Sequence, residues 1–295
     1  MGILTHLTLP SPAKINLFLH ITGRQGNGYH NLQTLFQLLE LSDELTFELL
    51  PNEKKISVTC PGLDIPEKDN LAYRAALLLQ RESGCDHGVV LDIRKSIPDG
   101  GGLGGGSSNA ATTLHGLNLL WGCGLSAQQL AALGLRLGAD VPVFIAGETA
   151  WGEGIGEKLT PVDLPSQIYL VLNPGCHIST HEIFSHPDLT RDSSTRTIAR
   201  FLEQASPFTW GKNDCQSVVC SLYPEVSEAL GWLSQWGTAK MTGTGSCIFL
   251  PIPTEEKSKE ILSQVPARWS AFVTAGVRKS ALLRILDQQV DQQVK

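Results

Sequence analysis

Apolar and polar side chains alternate with a period of two near the start of the chain. Between Thr8 and Ile21, the run Ala13-Lys14-Ile15-Asn16-Leu17-Phe18-Leu19-His20 predicts a strand with one face buried. Lys14 and Asn16 share a face of that strand. On a surface strand they would be ordinary solvated residues, and the alternation alone leaves that reading open. A turn-rich stretch from Gly23 to Gly28 delivers Tyr29-His30, after which Leu32, Leu35, Phe36 and Leu39 form an apolar segment. Leu45-Thr46-Phe47-Glu48-Leu49 and Ile56-Ser57-Val58-Thr59 predict a hairpin, and Val89-Val90-Leu91-Asp92-Ile93 a further strand. The period becomes helical over residues 70–80, with Asp69 or Asn70 as cap. It does so again over 127–137, where Ser126 caps the start and Gly138 stops the end. Farther on, Ile168-Tyr169-Leu170-Val171-Leu172 reads as a strand and residues 191–200 as a polar, exposed stretch. A loop of small residues, 239–246, runs into the strand Cys247-Ile248-Phe249-Leu250, and a helix follows over 255–264. Residues 287–295 are polar enough to fray. The glycine-rich passage 147–156 marks a seam that divides the chain into residues 1–155 and 156–295.

The stretch Pro98-Asp99-Gly100-Gly101-Gly102-Leu103-Gly104-Gly105-Gly106-Ser107-Ser108-Asn109 stands apart from all of this. Six glycines in seven positions bring no side chains to a core and cost conformational entropy on ordering. In return they allow positive φ, expected at Gly104 and Gly105, and let another molecule approach bare backbone. The loop leaves an apolar strand and enters the helix-favouring run Ala110-Ala111-Thr112-Thr113-Leu114, whose start Ser107, Ser108 or Asn109 could cap. Strand, glycine loop and helix N-terminus together aim backbone N–H groups and a helix dipole at an anion, best met by a nucleotide phosphate. Gly100, Gly102 and Gly105 fit G-x-G-x-x-G, yet no carboxylate follows about twenty residues on, as a dinucleotide fold requires. No lysine follows the glycines, so the Walker A pattern fails as well. The bland alternative is a flexible linker. Asp140, a carboxylate in the apolar stretch Ala139-Asp140-Val141-Pro142-Val143-Phe144, either caps a short helix or stands beside the phosphate loop.

Composition narrows the partners. The 295 residues are 42% hydrophobic and 18% charged with a formal net charge of −6, which argues against nucleic-acid binding by bulk electrostatics. A nucleotide would have to be held by a few placed cations and backbone donors. Seven scattered cysteines without a C-x-x-C pair give neither a disulfide frame nor a zinc site, and fit free thiols in a reducing cytoplasm. No apolar run is long enough to span a bilayer, and no signal pattern opens the chain. His177 and His181 have metal-ligand spacing, but Pro174 and Gly175 upstream speak against the helix that spacing needs, so no protein-held metal is expected.

Three segments together resemble the GHMP kinase superfamily: Pro12-Ala13-Lys14-Ile15-Asn16-Leu17, the loop from Pro98 to Asn109, and Met241-Thr242-Gly243-Thr244-Gly245. Gly28-Tyr29-His30-Asn31-Leu32-Gln33-Thr34-Leu35-Phe36-Gln37 and Leu137-Gly138-Ala139-Asp140-Val141-Pro142 are similar, more narrowly, to the branch acting on a cytidine-diphosphate-linked methylerythritol. The resemblance runs essentially end to end. It implies an α+β fold of two domains, a ribosomal-protein-like N-terminal domain holding the phosphate loop and a ferredoxin-like C-terminal domain. It implies ATP with Mg²⁺, phosphorylation of the 2-hydroxyl of that small-molecule substrate, a monomer or weak homodimer, and no nucleic-acid or membrane partner. Carried onto this sequence, it makes Asp140 a base or orienting acceptor and Lys14 the cation that keeps it ionised. Pro98, Asp99, Gly100, Gly101, Gly102, Leu103, Gly104, Gly105, Gly106, Ser107 and Ser108 would take the ATP phosphates, with Asn70 and Lys95 near the nucleotide. Asn16, His30 and Thr180 would meet substrate, and Tyr29 and Phe184 would sandwich its cytosine. Two rivals stand beside this reading. One is a GHMP kinase for another alcohol or for an isopentenyl monophosphate; the other is a non-catalytic nucleotide sensor or RNA-binding module on the same fold.

Overall fold

The computed structural model describes residues 5–26, 28–203 and 206–293, the last five of these by backbone alone. Its spine is an antiparallel pair, β1 (His6–Arg24) and β2 (His30–Leu50), in register from His6 opposite Glu48 to Arg24 opposite His30. The alternation in β1 does produce a strand, but one buried on both faces from Ser11 to Ile21. Ile15, Leu17 and Phe18 sit in hydrophobic core, whereas Lys14 and Asn16 are covered by loops that arrive from far along the chain. Solvated-face logic fails here because the polar face is roofed by backbone.

The apolar segment after His30 and the run at Leu45 belong to one strand, so the expected hairpin with Ile56–Thr59 does not form. That segment, β3 (Ile56–Thr59), instead pairs in parallel with β4 (Gly88–Arg94), and β4 lies against β2. The crossover between them carries α1 (Leu71–Ser83), with the Asn70 side chain accepting from the Ala72 amide as N-cap. The glycine loop leaves β4 and enters α2 (Gly105–Leu120), which packs Ala111, Leu114 and Leu117 on the sheet beside α1. Ser126 and Gln129 form a capping box at the head of α3 (Ala127–Leu135), which ends two residues before the expected stop. Gly138 does not terminate it. A short α4 (Val141–Ala146) follows.

The glycine-rich passage is no break in the structure. It contains β5 (Ala150–Glu153), paired with both β2 and β6 (Lys158–Pro161), so the 155/156 seam falls in the turn of that hairpin. Then comes β7 (Ile168–Asn173), followed by α5 (Thr180–Ser185), α6 (Ile198–Leu202), α7 (Gln216–Leu222) and α8 (Pro224–Leu233). β8 (Lys240–Met241), β9 (Ile248–Ile252), α9 (Glu255–Leu262) and β10 (Ser270–Val277) complete this half. Their antiparallel order β10-β7-β9-β8 is the 4-1-3-2 order of a ferredoxin-like layer. β10 also pairs with β2 at Leu38 and Leu39, which joins the halves into one sheet. The last helix, α10 (Ala281–Gln293), returns to the first half and buries Leu282 in its core. Residues 287–293 therefore continue a helix rather than fray; 294 and 295 lie outside the described residues.

Candidate active site

The glycine loop is shaped by close approach. Gly100, Gly102 and Gly104 take φ of +63°, +75° and +76°, a region that side-chain-bearing residues disfavour. Gly105, against expectation, is helical. A Cβ on Gly102 would sit 2.3 Å from the carbonyl oxygen of Thr242, and one on Gly101 would sit 2.5 Å from Cys247 Sγ. Two sequence motifs more than a hundred residues apart are thus pressed backbone to backbone, and the linker reading falls. The Cys247 amide donates to the Gly101 carbonyl at 3.1 Å, which fastens the second loop to the first.

Serine or asparagine capping of α2 also does not occur. The helix begins at Gly105 behind Gly104, with no side-chain cap. The N–H groups of its first turn are left aimed outward with the positive dipole end, which is what an anion needs. Ser108 is buried and accepts a hydrogen bond from Ser11 at 2.9 Å, so its hydroxyl faces the core while Ser107 stays half-exposed. Asn109 donates to Ser11 and to buried Asp43. Lys95 is ion-paired to the same Asp43, whose other oxygen accepts from the Ser96 and Ile97 amides at 2.7 and 2.8 Å. Asp43, which the sequence reading passed over, is therefore the post on which the loop's entry is tied. The Lys95 ammonium so paired lies against Gly105 at the start of α2, and the Asn70 side-chain oxygen caps α1.

Lys14 lies at the centre. Its side chain is 2% exposed, and its ammonium donates to Asn16 Oδ1 at 2.7 Å and to the Gly102 carbonyl at 2.9 Å. Its third neighbour is Asp140 Oδ2 at 3.5 Å. Asp140 precedes α4, but its side chain makes no capping bond, so the helix-cap reading is excluded. The carboxylate is 38% exposed and open to a ligand, with the buried Lys14 ammonium beside it. Asn16 is fixed at both ends: its amide donates to Thr242 Oγ1 at 2.9 Å and its Nδ2 to Thr34 Oγ1 at 2.8 Å. The second loop is held from behind by Asn213, whose Nδ2 donates to the carbonyls of Met241 and Gly243. Neither Thr242 nor Asn213 was singled out individually, although the small-residue run around Thr242 was the signal available.

A second cluster stands at the turn between β1 and β2. His30 is buried, its ring 5.3 Å from that of Phe184. Arg191 Nε donates to His30 Nε2 at 3.1 Å, which leaves Nδ1 as the protonated nitrogen. Burial first, and then the charges of Arg191 and Arg24, push the His30 pKa below its ordinary value. Arg191 also clamps the carbonyls of Phe184, His186, Pro187 and Leu189, so the expectation of an exposed polar stretch is wrong at its first residue. Tyr29 is 58% exposed at the rim. Thr180, the first residue of α5, is 3.0 Å from Thr244 in the second loop. His177 lies over Gly100, while His181 is on α5, and no group of three His, Cys, Asp or Glu side chains fit to hold a metal occurs among the described residues.

An acid and a lysine beside an uncapped helix N-terminus, closed by a second glycine loop, is the geometry of a small-molecule kinase. The comparisons with known proteins agree. Residues 70–148 match the model for the GHMP kinases N terminal domain, and residues 189–271 that for the GHMP kinases C terminal. A 4-diphosphocytidyl-2-C-methyl-D-erythritol kinase from Alkalilimnicola ehrlichii is 51% identical over 96% of this chain and 95% of its own length. The chain belongs to the 4-diphosphocytidyl-2-C-methyl-D-erythritol kinase family. A relative of the same name from Marinobacter nauticus is also 51% identical, over 97% of this chain and 99% of its own. The crystal structure of a 4-(cytidine 5'-diphospho)-2C-methyl-D-erythritol kinase superposes with a TM-score of 0.77 at 31% identity, covering 92% of this chain and all of that one. Mevalonate kinase from L. major, at 13% identity and a TM-score of 0.68, shares the fold.

Membership in this kinase family gives the α+β, two-part GHMP fold and ATP-dependent phosphotransfer directly. No helix among the described residues is long and apolar enough to cross a membrane. Phosphoryl transfer asks a protein chiefly for positioning and for charge placed where charge develops. Around Lys14 the structure gathers a buried ammonium, a partly exposed carboxylate and the glycine-loop backbone.

Proposed function

We propose that this kinase transfers the γ-phosphoryl group of ATP to the 2-hydroxyl of 4-diphosphocytidyl-2-C-methyl-D-erythritol, in the non-mevalonate route to isoprenoid precursors. The observation that carries the reading is Asp140, uncapped and half-open, 3.5 Å from a buried lysine that also touches the glycine loop. In this reading Asp140 accepts or orients the proton of the attacking hydroxyl, and Lys14 positions that carboxylate and meets charge building on the transferred group. The backbone from Gly100 to Ser107 and the first-turn amides of α2 cradle the phosphates. Mg²⁺ bound with ATP would offset charge on the phosphates, and an ion of this kind would need few protein ligands.

His30 Nδ1–H donates to the cytosine, Asn16 and Thr180 line the path of the alcohol, and Tyr29 and Phe184 take the base between them. Exposure of Tyr29 and the half-buried ring of Phe184 beside His30 support that pairing. Residues 1–155 form the ATP-side part and 156–295 the substrate-side part, with α10 returning across them. The protein works in the cytoplasm as a monomer or weak homodimer, without nucleic acid. The test is ATP turnover by the purified protein across a panel of alcohols, with and without Mg²⁺. Turnover confined to the cytidine-linked alcohol supports the reading. Equal turnover of mevalonate, homoserine or isopentenyl monophosphate overturns it.

A further inference from the structure

Behind the β1–β2 pair, away from Lys14, lies a cavity of about 470 Å³ that the kinase chemistry does not use. Side chains alternate across the sheet, and Thr34, bonded to Asn16, marks the catalytic face. Its neighbour Gln33 pairs with His20 and reaches the opposite side, where Gln33 Nε2 donates to the Arg196 carbonyl at 3.0 Å. His20, Arg196 and Lys212 line the cavity, together with Thr190, Ser194 and Asp192.

His20 is the telling residue. It is 6% exposed, held between Phe18 at 4.9 Å and Trp210 at 5.7 Å between ring centroids. Its Nδ1 is buried with no hydrogen-bond partner among the described residues, so the edge meeting the cavity carries Nε2. Burial lowers its pKa; Asp214 opposes this, while Lys212, Arg196 and Lys240 add to it, so the ring is a neutral donor and not a third cation. With Nδ1 as the buried, unprotonated nitrogen, Nε2 carries the ring proton and is the donor that His20 offers at the cavity edge. Arg196 spends only its backbone on Gln33, and its guanidinium forms no ion pair among the described residues. Lys212 is paired at 3.0 Å with Asp214 and still reaches solvent.

We infer that this cavity binds a phosphate monoester of a small polyol. Arg196 and Lys212 supply the cationic fork for the phosphate and His20 Nε2–H a neutral donor at its base. The acceptor oxygens of Asp192, Thr190 and Ser194 answer the polyol hydroxyls, and the Asp192 carboxylate disfavours a bare polyanion. The volume fits a molecule of that size. The wall formed by Trp210, Gly211 and Lys212 leads directly into Asn213, which supports the second glycine loop, so the site stands on the scaffold of the catalytic one.

The test is calorimetric titration of glycerol 3-phosphate, inorganic phosphate and glycerol into protein already saturated with ADP, which fills the phosphate loop. Glycerol 3-phosphate is expected to bind one to one in the range of about 0.1–1 mM, with inorganic phosphate weaker and glycerol silent. Arg196→Gln should weaken it by roughly tenfold or more while kcat/KM for ATP stays at the wild-type value, because the lost contact is a charge-assisted one. In histidine ring spectra the His20 resonance, assigned by its loss in His20→Gln, should move on titration. No saturable heat up to about 10 mM, equal affinity for inorganic phosphate, or affinity unchanged in Arg196→Gln would overturn the assignment.

Discussion

Adding one methyl group at Gly102 tests how the two glycine loops meet. In Gly102→Ala the new Cβ would lie 2.3 Å from the Thr242 carbonyl oxygen and 3.0 Å from that of Gly245, both backbone atoms. Neither can rotate away as a side chain would. The Thr242 amide is bonded to Cys247, Thr242 Oγ1 to Asn16, and the Gly245 amide to Thr242. The residue also sits at φ +75°. A left-handed conformation costs an alanine about 1–2 kcal/mol and forced overpacking about 1–3 kcal/mol, so a loss of roughly 2–5 kcal/mol is expected. The protein should still fold, with a melting temperature lower by roughly 3–8 °C. Displacing the Gly102 carbonyl also breaks its bond from Lys14. A hydrogen bond to a charged group is worth about 1.5–3 kcal/mol, so kcat/KM should fall by about ten- to a hundredfold. Gly106→Ala is the control: that residue is helical, and its Cβ would meet only Leu71 Cδ1, at 3.5 Å. Its stability should rise by up to about 1 kcal/mol. Melting curves and steady-state rates of both variants decide the matter. If Gly102→Ala melts with wild type and keeps its kcat/KM, the two loops do not touch as described.

Two further outcomes follow from the site and its surroundings. Tyr29→Ala should raise KM for the cytidine-bearing substrate by about five- to a hundred-and-fifty-fold, with KM for ATP nearly unchanged, whereas Tyr29→Phe should keep most of the affinity. A lowered melting temperature with unchanged substrate KM in Tyr29→Ala would make the ring a structural plug. Lys240 is buried and donates to the carbonyls of Leu17 and Trp210 at 2.7 Å each, and desolvation lowers its pKa from 10.5 to about 7. Its folded-state pKa lies below its unfolded one, so the unfolded chain binds the extra proton between those values and stability must rise with pH through that window. The melting temperature of wild type relative to Lys240→Met should therefore climb between pH 7 and 10, and a flat difference would contradict a desolvated ammonium.

The phosphate loop was legible because six glycines between a strand and a helix have few uses, and α1 because Asn70 caps it and its apolar residues keep helical spacing. What local pattern could not supply was pairing across distance. Ile56–Thr59 reads as the partner of the strand just before it, yet the parallel ladder with β4 is closed by a helix crossover that no short window contains. Lys14 and Asn16 read as a possible solvent face because the roof over them comes from residues 102 and 242. Arg191 looked exposed within a polar run, and only the fold shows its guanidinium turned onto four carbonyls and His30. The absence of a serine cap on α2 is the same lesson in small: the local capping preference gives way where the helix end is kept open for an anion.

The most direct test of the whole account is single-turnover phosphorylation of 4-diphosphocytidyl-2-C-methyl-D-erythritol by wild type and Asp140→Asn, with ATP affinity measured on the same samples. Asparagine keeps the shape but cannot accept the proton or pair with Lys14, so the chemical step should slow by about a hundred- to ten-thousand-fold. ATP should bind both proteins within about twofold, because the glycine loop and the α2 amides are untouched. A variant that phosphorylates the alcohol within a few-fold of wild type would remove Asp140 from the reaction and contradict the account at its centre.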